Sequence, residues 1–529
     1  MTGETTRTAG GTGRSAANGT PDVTVIGAGV NGLTAAALLA KAGRRVLVLE
    51  RREAIGGLAA SEEFHPGYRT AGVLHDTTGF REGVADALAL ARYGLVRHPE
   101  PLPVWAATAP GSGILLHHDP GRAAAVLGAQ SEADAAAYRR YRGFLNEVAP
   151  VVRRVLDAPP PDPVRMTGRG AWPLLGTALA FRRLGRKTLM EILRVAPMCV
   201  ADWMNEHFET EAIKVALALP AVAPTFAGPW SPGTAANLLL HECAAAGSVQ
   251  GGPAAVVRAL EAAARAHGVV IRTGAAVEAI EVSGGAVTGV RLAGGEVVGT
   301  TTVAASCDPR HTFLDLVPSR EIPYRLEHGV RHVRGEGLAA AVHLAVRGPV
   351  AFPGADGEPV ALARIGTTLD GMERTFDPVK YGQLPETLTL DAYVPTVEDP
   401  SLAPEGCNVI SVLAYFVPYD LHAGWNEAAR AAVGDRVVAA LAGALPDLTG
   451  RIEARQVLAP PDLETRYGAV RGHLFHGDHA LDQLLFRPVA ECAQYRTPVA
   501  GLVLCGSGSH PGGGVTGAPG ALGAKAILG

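Results

Sequence analysis

The stretch DVTVIGAGVNGLTAAALLAKAG, followed at once by RRVLVLE, restricts this chain more than any other part of it. An apolar strand runs through Gly27, Gly29 and Gly32 directly into an alanine-rich helix, and a second apolar strand ends in the acidic Glu50. A GxGxxG run alone is weak. Set between a strand and a helix, with an acidic residue closing the next strand, it predicts a parallel beta-alpha-beta unit that holds a dinucleotide. In that unit Gly27 permits the tight turn, Gly29 lets the backbone approach a pyrophosphate, and Gly32 lets helix and strand pack closely. Glu50 accepts hydrogen bonds from ribose hydroxyls. Val30 and Asn31, inside the glycine run, and Arg51, just after Glu50, count among the expected cofactor contacts.

A second glycine-rich element stands in GLVLCGSGSHPGGGVTGAPGALGAKAILG, from Gly501 to Gly529. Its strand, loop and helix argue against a flexible tail, because glycine loses more backbone entropy on ordering than other residues and needs a reason to be so dense. A helix opening after such a loop points unpaired amides and its positive dipole end at an anion. The element therefore reads as a second wall of a cofactor site.

The 529 residues exceed one compact core and imply about two domains. The apolar fraction of 47% is ample for them, and the 5% of aromatic residues gives no sign of base stacking. With 47 basic and 51 acidic residues the net charge is −4, so no basic field gathers a phosphate backbone and no nucleic-acid partner is expected. Six cysteines lie scattered without a CxxC pair, which supports neither a zinc site nor a redox dithiol. Residues 1–20 lack an apolar signal core and read as a disordered leader. No run of about 18 apolar residues appears, so a cytoplasmic location is expected.

After Glu50 the chain continues RREAIGGLAASEEF, placing Gly56 and Gly57 shortly beyond the acidic strand end. GxGxxG, an acidic strand end and this pair together resemble the glutathione-reductase-type FAD fold, in particular its amine oxidase and phytoene desaturase branch. Leu58 stands where many amine-oxidase-like members carry an arginine after the pair, which leans the likeness towards the desaturases. The run GHLFHGDHALDQLLFRP and the C-terminal glycine element together are similar to the end of phytoene-desaturase-like flavoproteins, especially the branch called pyridine-nucleotide-disulphide-oxidoreductase-domain proteins. The likeness is spread over nearly the whole chain, although the central blocks match only in general pattern.

The resemblance implies an α/β fold: a Rossmann-like FAD-binding domain with an α+β substrate, or cap, domain. The FAD domain is expected to be discontinuous, from residues 21–95, 245–316 and 488–529, with the substrate domain from 96–244 and 317–487. FAD is implied as a noncovalent cofactor beside Gly56, Gly57 and Leu58. In the family the residue matching Val277 pairs its backbone with adenine, and the C-terminal contacts map to Gly506, Ser507, Gly514, Val515 and Thr516. The sequence around Val277 also suits an ordinary helix and hairpin. EVSGGAVTGVRLAGGEVV reads as a beta meander turning at paired glycines. Ser306 and Asp308, after the next strand, read as a structural cap as readily as a ligand contact.

The first central block carries helical periodicity in SEADAAAYRRYRGFLNEVAPVVRRVL and KTLMEILRVAPMCVADWMNEHF, separated by the proline-rich hinge APPPDPV. Between them AWPLLGTALAFRRLGRKTLMEIL sets Arg182, Arg183, Arg186 and Lys187 beside an apolar body. That pattern fits a cap helix with one solvated basic face or a helix in peripheral contact with a membrane. His473, His476 and His479 drift around any helix and Gly477 interrupts one, so no metal is expected there.

The chemistry implied is oxidation of a carbon-carbon bond of an apolar substrate, such as a polyene, lipid or secondary metabolite. FAD would take a hydride and a base or water a proton. His473, His476, His510 and His75 are the candidate bases, since histidine titrates near neutral pH. A redox-neutral flavin isomerase and a non-catalytic flavin-binding scaffold are the alternatives. No second GxGxxG unit for NAD is present, so the electron acceptor is expected to be oxygen, a quinone or another protein.

Overall fold

The computed structural model describes residues 20–161 and 172–529. The expected leader, up to residue 19, and residues 162–164 of the proline-rich hinge fall outside them. A five-stranded parallel sheet forms in the order Leu502–Leu504, Val303–Ala305, Val23–Ile26, Val46–Leu49, Val270–Arg272. The central strand Val23–Ile26 is buried at every position, as a parallel strand covered on both faces must be. Val23, Val25, Val46, Val48 and Ala304 point to one side, where they meet the helices Val30–Lys41 and Gly252–Ala266 and Ala524 of the helix Ala518–Leu528. Ile26, Leu49, Val303 and Ala305 point to the other, onto Phe313, Leu316 and the meander Val277–Ser283, Ala286–Leu292, Val297–Gly299. Strands from both ends of the chain therefore flank Val303–Ala305 in one sheet with the glycine motifs at their carboxyl ends, where open parallel sheets bind ligands.

A seven-stranded sheet carries the opposite side of the molecule, in the order Ile452–Leu458, Ala339–Arg347, Cys407–Tyr415, Thr389–Tyr393, Leu362–Ile365, Val104–Ala109, Ser112–Leu116. Its neighbours are antiparallel except Leu362–Ile365 against Val104–Ala109. Side chains alternate across a strand. Ala363, Ile365, Leu390, Ala392, Val412 and Ala414 pack with Val433, Val437 and Leu441 of the helix Glu427–Ala444, while the intervening Arg364, Asp391, Leu413 and Tyr415 face an internal cavity.

That cavity is roofed by helices. Glu132–Leu156, Val200–His207, Glu211–Val222 and Thr234–Ala244 share a core with Tyr141, Trp203, Phe208, Leu219 and Leu238 fully or almost fully buried. The helical run predicted from Lys187 to Phe208 divides into Gly185–Val195 and Val200–His207. Pro197 lies between them, and a proline can donate no amide to a continuing helix. The basic segment around Arg182 and Lys187 forms the helix Trp172–Arg183 and the start of Gly185–Val195, with Leu179, Met190 and Leu193 exposed. Among the described residues no helix is long and apolar enough to cross a membrane.

Candidate cofactor groove and substrate cavity

At the carboxyl end of Val23–Ile26 the chain turns through Gly27 at φ +94°, a left-handed conformation that glycine adopts without strain. Gly32, in the first turn of the helix, lies so close beneath this turn that an added Cβ would stand 2.1 Å from the Gly27 carbonyl oxygen. Gly29 is different: a Cβ there would meet nothing within 4 Å and would project into open groove. Glu50 ends the next strand with its carboxylate held by two backbone amides, those of Ala28 at 2.8 Å and Arg52 at 3.0 Å. Both bonds position it at the groove wall.

The groove has a volume of about 630 Å³. It gathers Gly27, Gly29, Val30, Asn31, Gly32, Glu50, Arg51, Gly56, Gly57, Leu58, Val277, Ser507, Gly514 and Val515. Gly506 packs behind the wall, where an added Cβ would lie 2.3 Å from the Ser306 carbonyl oxygen. Thr516 lines the neighbouring cavity instead. Asn31 donates to Ser507 Oγ at 3.1 Å, tying the two glycine elements together, and its own Oδ1 is buried without a partner. An open glycine wall, a buried acceptor awaiting a donor and a carboxylate at one end suit a bound dinucleotide.

Beside the groove lies a cavity of two chambers, about 160 Å³ and 80 Å³. The inner chamber shares Leu74, Gly514 and Val515 with the groove. Leu156, Leu219, Leu240, Leu413 and Phe475 make its walls apolar. Six residues border both chambers: His75, Asp76, Thr78, His241, Arg364 and Asp391. Arg364 and Asp391 are direct cross-strand partners, with Arg364 Nε 3.4 Å from Asp391 Oδ1. Asp76 accepts from the Thr78 amide at 2.7 Å and lies 3.5 Å from His241 Nδ1. Burial, opposed by the Arg364 charge and reinforced by Asp76, raises the Asp391 carboxyl above its usual range.

Residues 25–81 match the model of an NAD(P)-binding Rossmann-like domain, and residues 184–524 match that of the flavin containing amine oxidoreductases. The chain belongs to the flavin-containing amine oxidoreductase family. Its cofactor is FAD and its class is oxidoreductase. The pyridine nucleotide-disulfide oxidoreductase domain-containing protein 2 of Rattus norvegicus is 33% identical, over 94% of this chain and 92% of the relative. A limonene dehydrogenase subunit of Castellaniella defragrans is 28% identical, over 96% and 94%. Among solved structures, putrescine oxidase bound to putrescine superposes with a TM-score of 0.58 at 15% identity, over 96% of this chain and 99% of the other. That last likeness establishes the fold alone.

The four histidines singled out from the sequence of this flavoprotein occupy different places. His75 faces the cavity, buried, with neither ring nitrogen hydrogen-bonded and its ring centroid 5.6 Å from that of Tyr393. His476 lines the glycine-walled groove, where desolvation pushes its pKa down to about 4. His473 lines neither space. Its Nδ1 accepts from the amides of Phe475 and Gly477, both at 3.2 Å, and its Nε2 lies 3.1 Å from Asp478, so it shapes the loop. His510 is fully buried, with Nε2 donating to the Val155 carbonyl at 3.1 Å. His479 buttresses the glycine loop by accepting from the Gly513 amide at 3.2 Å. Among the described residues no cluster able to hold a metal is present.

Sequence reasoning passed over Asp76, His241, Arg364 and Asp391, and left Ser306 undecided. Ser306 Oγ donates to the carbonyl oxygens of Ile26 at 2.8 Å and Gly27 at 3.1 Å, fixing the first glycine turn, and the residue also lines the groove. Asp308 caps the short helix that follows, accepting from the Arg310 amide at 2.8 Å.

Burial lowers the pKa of His75 and of His343 to about 3 each. In the unfolded chain a histidine takes its proton below about pH 6.5. The folded state therefore binds fewer protons, and the stability contributed by neutral burial is complete above pH 6.5 and lost as pH falls towards 3. Each of the two contributes roughly 1.4 kcal/mol per pH unit within that window. Urea unfolding between about pH 7 and 5 should show a falling midpoint, and replacing His343 with Gln should flatten the slope. An unchanged slope in His343→Gln would remove His343 from the account.

Proposed function

We propose that this flavoprotein is a dehydrogenase that oxidises a carbon-carbon bond of a largely apolar substrate. One observation carries the reading: an apolar chamber opens against Leu74, Gly514 and Val515, the same residues that wall the FAD groove. A substrate lying there is held by dispersion and burial, with water excluded from the face next to the cofactor. FAD supplies hydride acceptance when bound. The protein's part is orientation: Leu156, Leu219, Leu240, Leu413 and Phe475 set the substrate's depth and angle. That a similar protein is named a limonene dehydrogenase subunit supports a hydrocarbon-like reacting centre. The electron acceptor proposed is oxygen, a quinone or another protein.

Anaerobic mixing of the purified holoprotein with a panel of alkenes and saturated lipid-like compounds tests this. A substrate should abolish the oxidised flavin's visible absorbance in a single turnover, and the product should have lost two hydrogens across adjacent carbons. Turnover that needs prior flavin reduction and leaves the product isomeric with the substrate would establish an isomerase instead. Filling the inner chamber with Leu240→Trp should slow that bleaching at least about tenfold, an effect worth roughly 1.4 kcal/mol, while flavin content stays unchanged.

A further inference from the structure

Six residues divide the cavity into its two chambers, and five of them carry charge or can. A hydrocarbon laid across this band would strip water from Asp76, Asp391 and Arg364 and return no hydrogen bond to any of them. A largely apolar substrate must therefore either stop short of the band or bring a polar group to it. His75 decides between these. Its side chain is 7% exposed, it borders both chambers, and both ring nitrogens lack partners. A buried neutral imidazole presents one N–H donor and one acceptor, and groups left so in a folded protein are rare.

We propose that this band is a head-group subsite for a hydroxyl, and that the substrate is an amphipathic alcohol whose apolar part enters the inner chamber while its hydroxyl is held remote from the reacting bond. A hydroxyl both donates and accepts. It donates to a carboxylate of the Asp76 and Asp391 pair and accepts from the His75 N–H, so one group satisfies both requirements. An ammonium can donate to the carboxylates and to the bare nitrogen of His75 but leaves the His75 N–H without an acceptor, which makes it the sharpest competitor, and a carboxylate meets two acidic side chains. Arg364 itself is already engaged, by Asp391 at 3.4 Å and by the Ala216 carbonyl at 2.6 Å.

The inference rests on the inner chamber being the substrate site, but its test needs no turnover. The oxidised holoprotein is titrated with octan-1-ol, 1-methoxyoctane, octylamine and octanoate, following the flavin difference spectrum and the shift in unfolding temperature. Octan-1-ol should bind at least about tenfold more tightly than each of the other three. The margin over the methyl ether, which accepts but cannot donate, should shrink in Asp391→Asn or in Asp76→Asn, because a neutral amide oxygen accepts more weakly than a carboxylate. His75→Phe should weaken octan-1-ol and 1-methoxyoctane alike, since both accept from the imidazole N–H. Flavin content and unfolding temperature without ligand show whether each variant is folded. Equal affinity for the ether, tighter binding of octylamine or octanoate, no binding of octan-1-ol, or a preference undiminished in both folded Asp variants each overturns the subsite. Failure of all substrates to bleach the flavin would instead bear on the dehydrogenase reading and leave these affinities standing.

Discussion

Gly29→Leu should yield a folded protein that purifies without FAD. The backbone at Gly29 has φ −73° and ψ 176°, values any residue adopts, and a Cβ there meets nothing within 4 Å. The leucine side chain has only the groove to enter, where it displaces the cofactor from the glycine turn and helix end. Losing even two or three of the hydrogen bonds made there, at about 1 kcal/mol each, weakens FAD on the order of a hundredfold. Gly32→Ala should fail differently, because its Cβ would collide with the Gly27 carbonyl oxygen at 2.1 Å and push helix from strand. Flavin absorbance per protein and the unfolding temperature of the flavin-free forms separate the two. Gly29→Leu should match the stripped parent in stability and Gly32→Ala should fall below it. Full flavin content in Gly29→Leu would place the pyrophosphate elsewhere.

The second large effect is expected at Arg142. This residue of the helix Glu132–Leu156 is 3% exposed, ion-paired to Glu242 and in contact with the His118 ring. Burial alone would raise the Glu242 carboxyl, but the Arg142 guanidinium overrides it and holds the pKa below its ordinary value. Arg142→Leu leaves Glu242 buried without its counter-charge, and breaking one partner of such a pair costs about 3–5 kcal/mol. Arg142→Leu with Glu242→Leu should recover most of that loss, since a well-packed apolar pair avoids the desolvation that the ions bear. Chemical unfolding of the two variants provides the comparison. A double variant as unstable as the single one would show that the damage lies in packing against Tyr138 and His118 rather than in the stranded charge.

The groove was more legible in the sequence than the cavity, for a physical reason. Gly27, Gly29, Gly32 and Glu50 act within one local unit whose geometry follows from short-range sterics, and a strand-to-helix turn of that kind has few solutions. The cavity band draws Asp76 from a loop, His241 from a helix, and Arg364 and Asp391 from two strands. Alternation places Arg364 and Asp391 on the face opposite Ala363 and Leu390 only once those segments are known to pair. The histidine cluster attracts notice because histidine titrates near neutrality, yet His473 Nδ1 accepts from two amides of its own loop and His479 Nε2 from the Gly513 amide of the glycine loop.

The hydrogen bond from Asn31 to Ser507 spans 476 residues of chain. During synthesis the N-terminal nucleotide unit leaves the ribosome long before Ser507, Gly514 and Val515 exist. Until they do, the groove lacks a wall, and the strand Val303–Ala305 lacks its outer neighbour Leu502–Leu504. A chain interrupted before Leu502 would lack that wall of the groove and the outer neighbour of Val303–Ala305, and it should hold flavin less well than the full chain. Flavin retention in such truncated chains would then report whether both glycine elements had been made and had met.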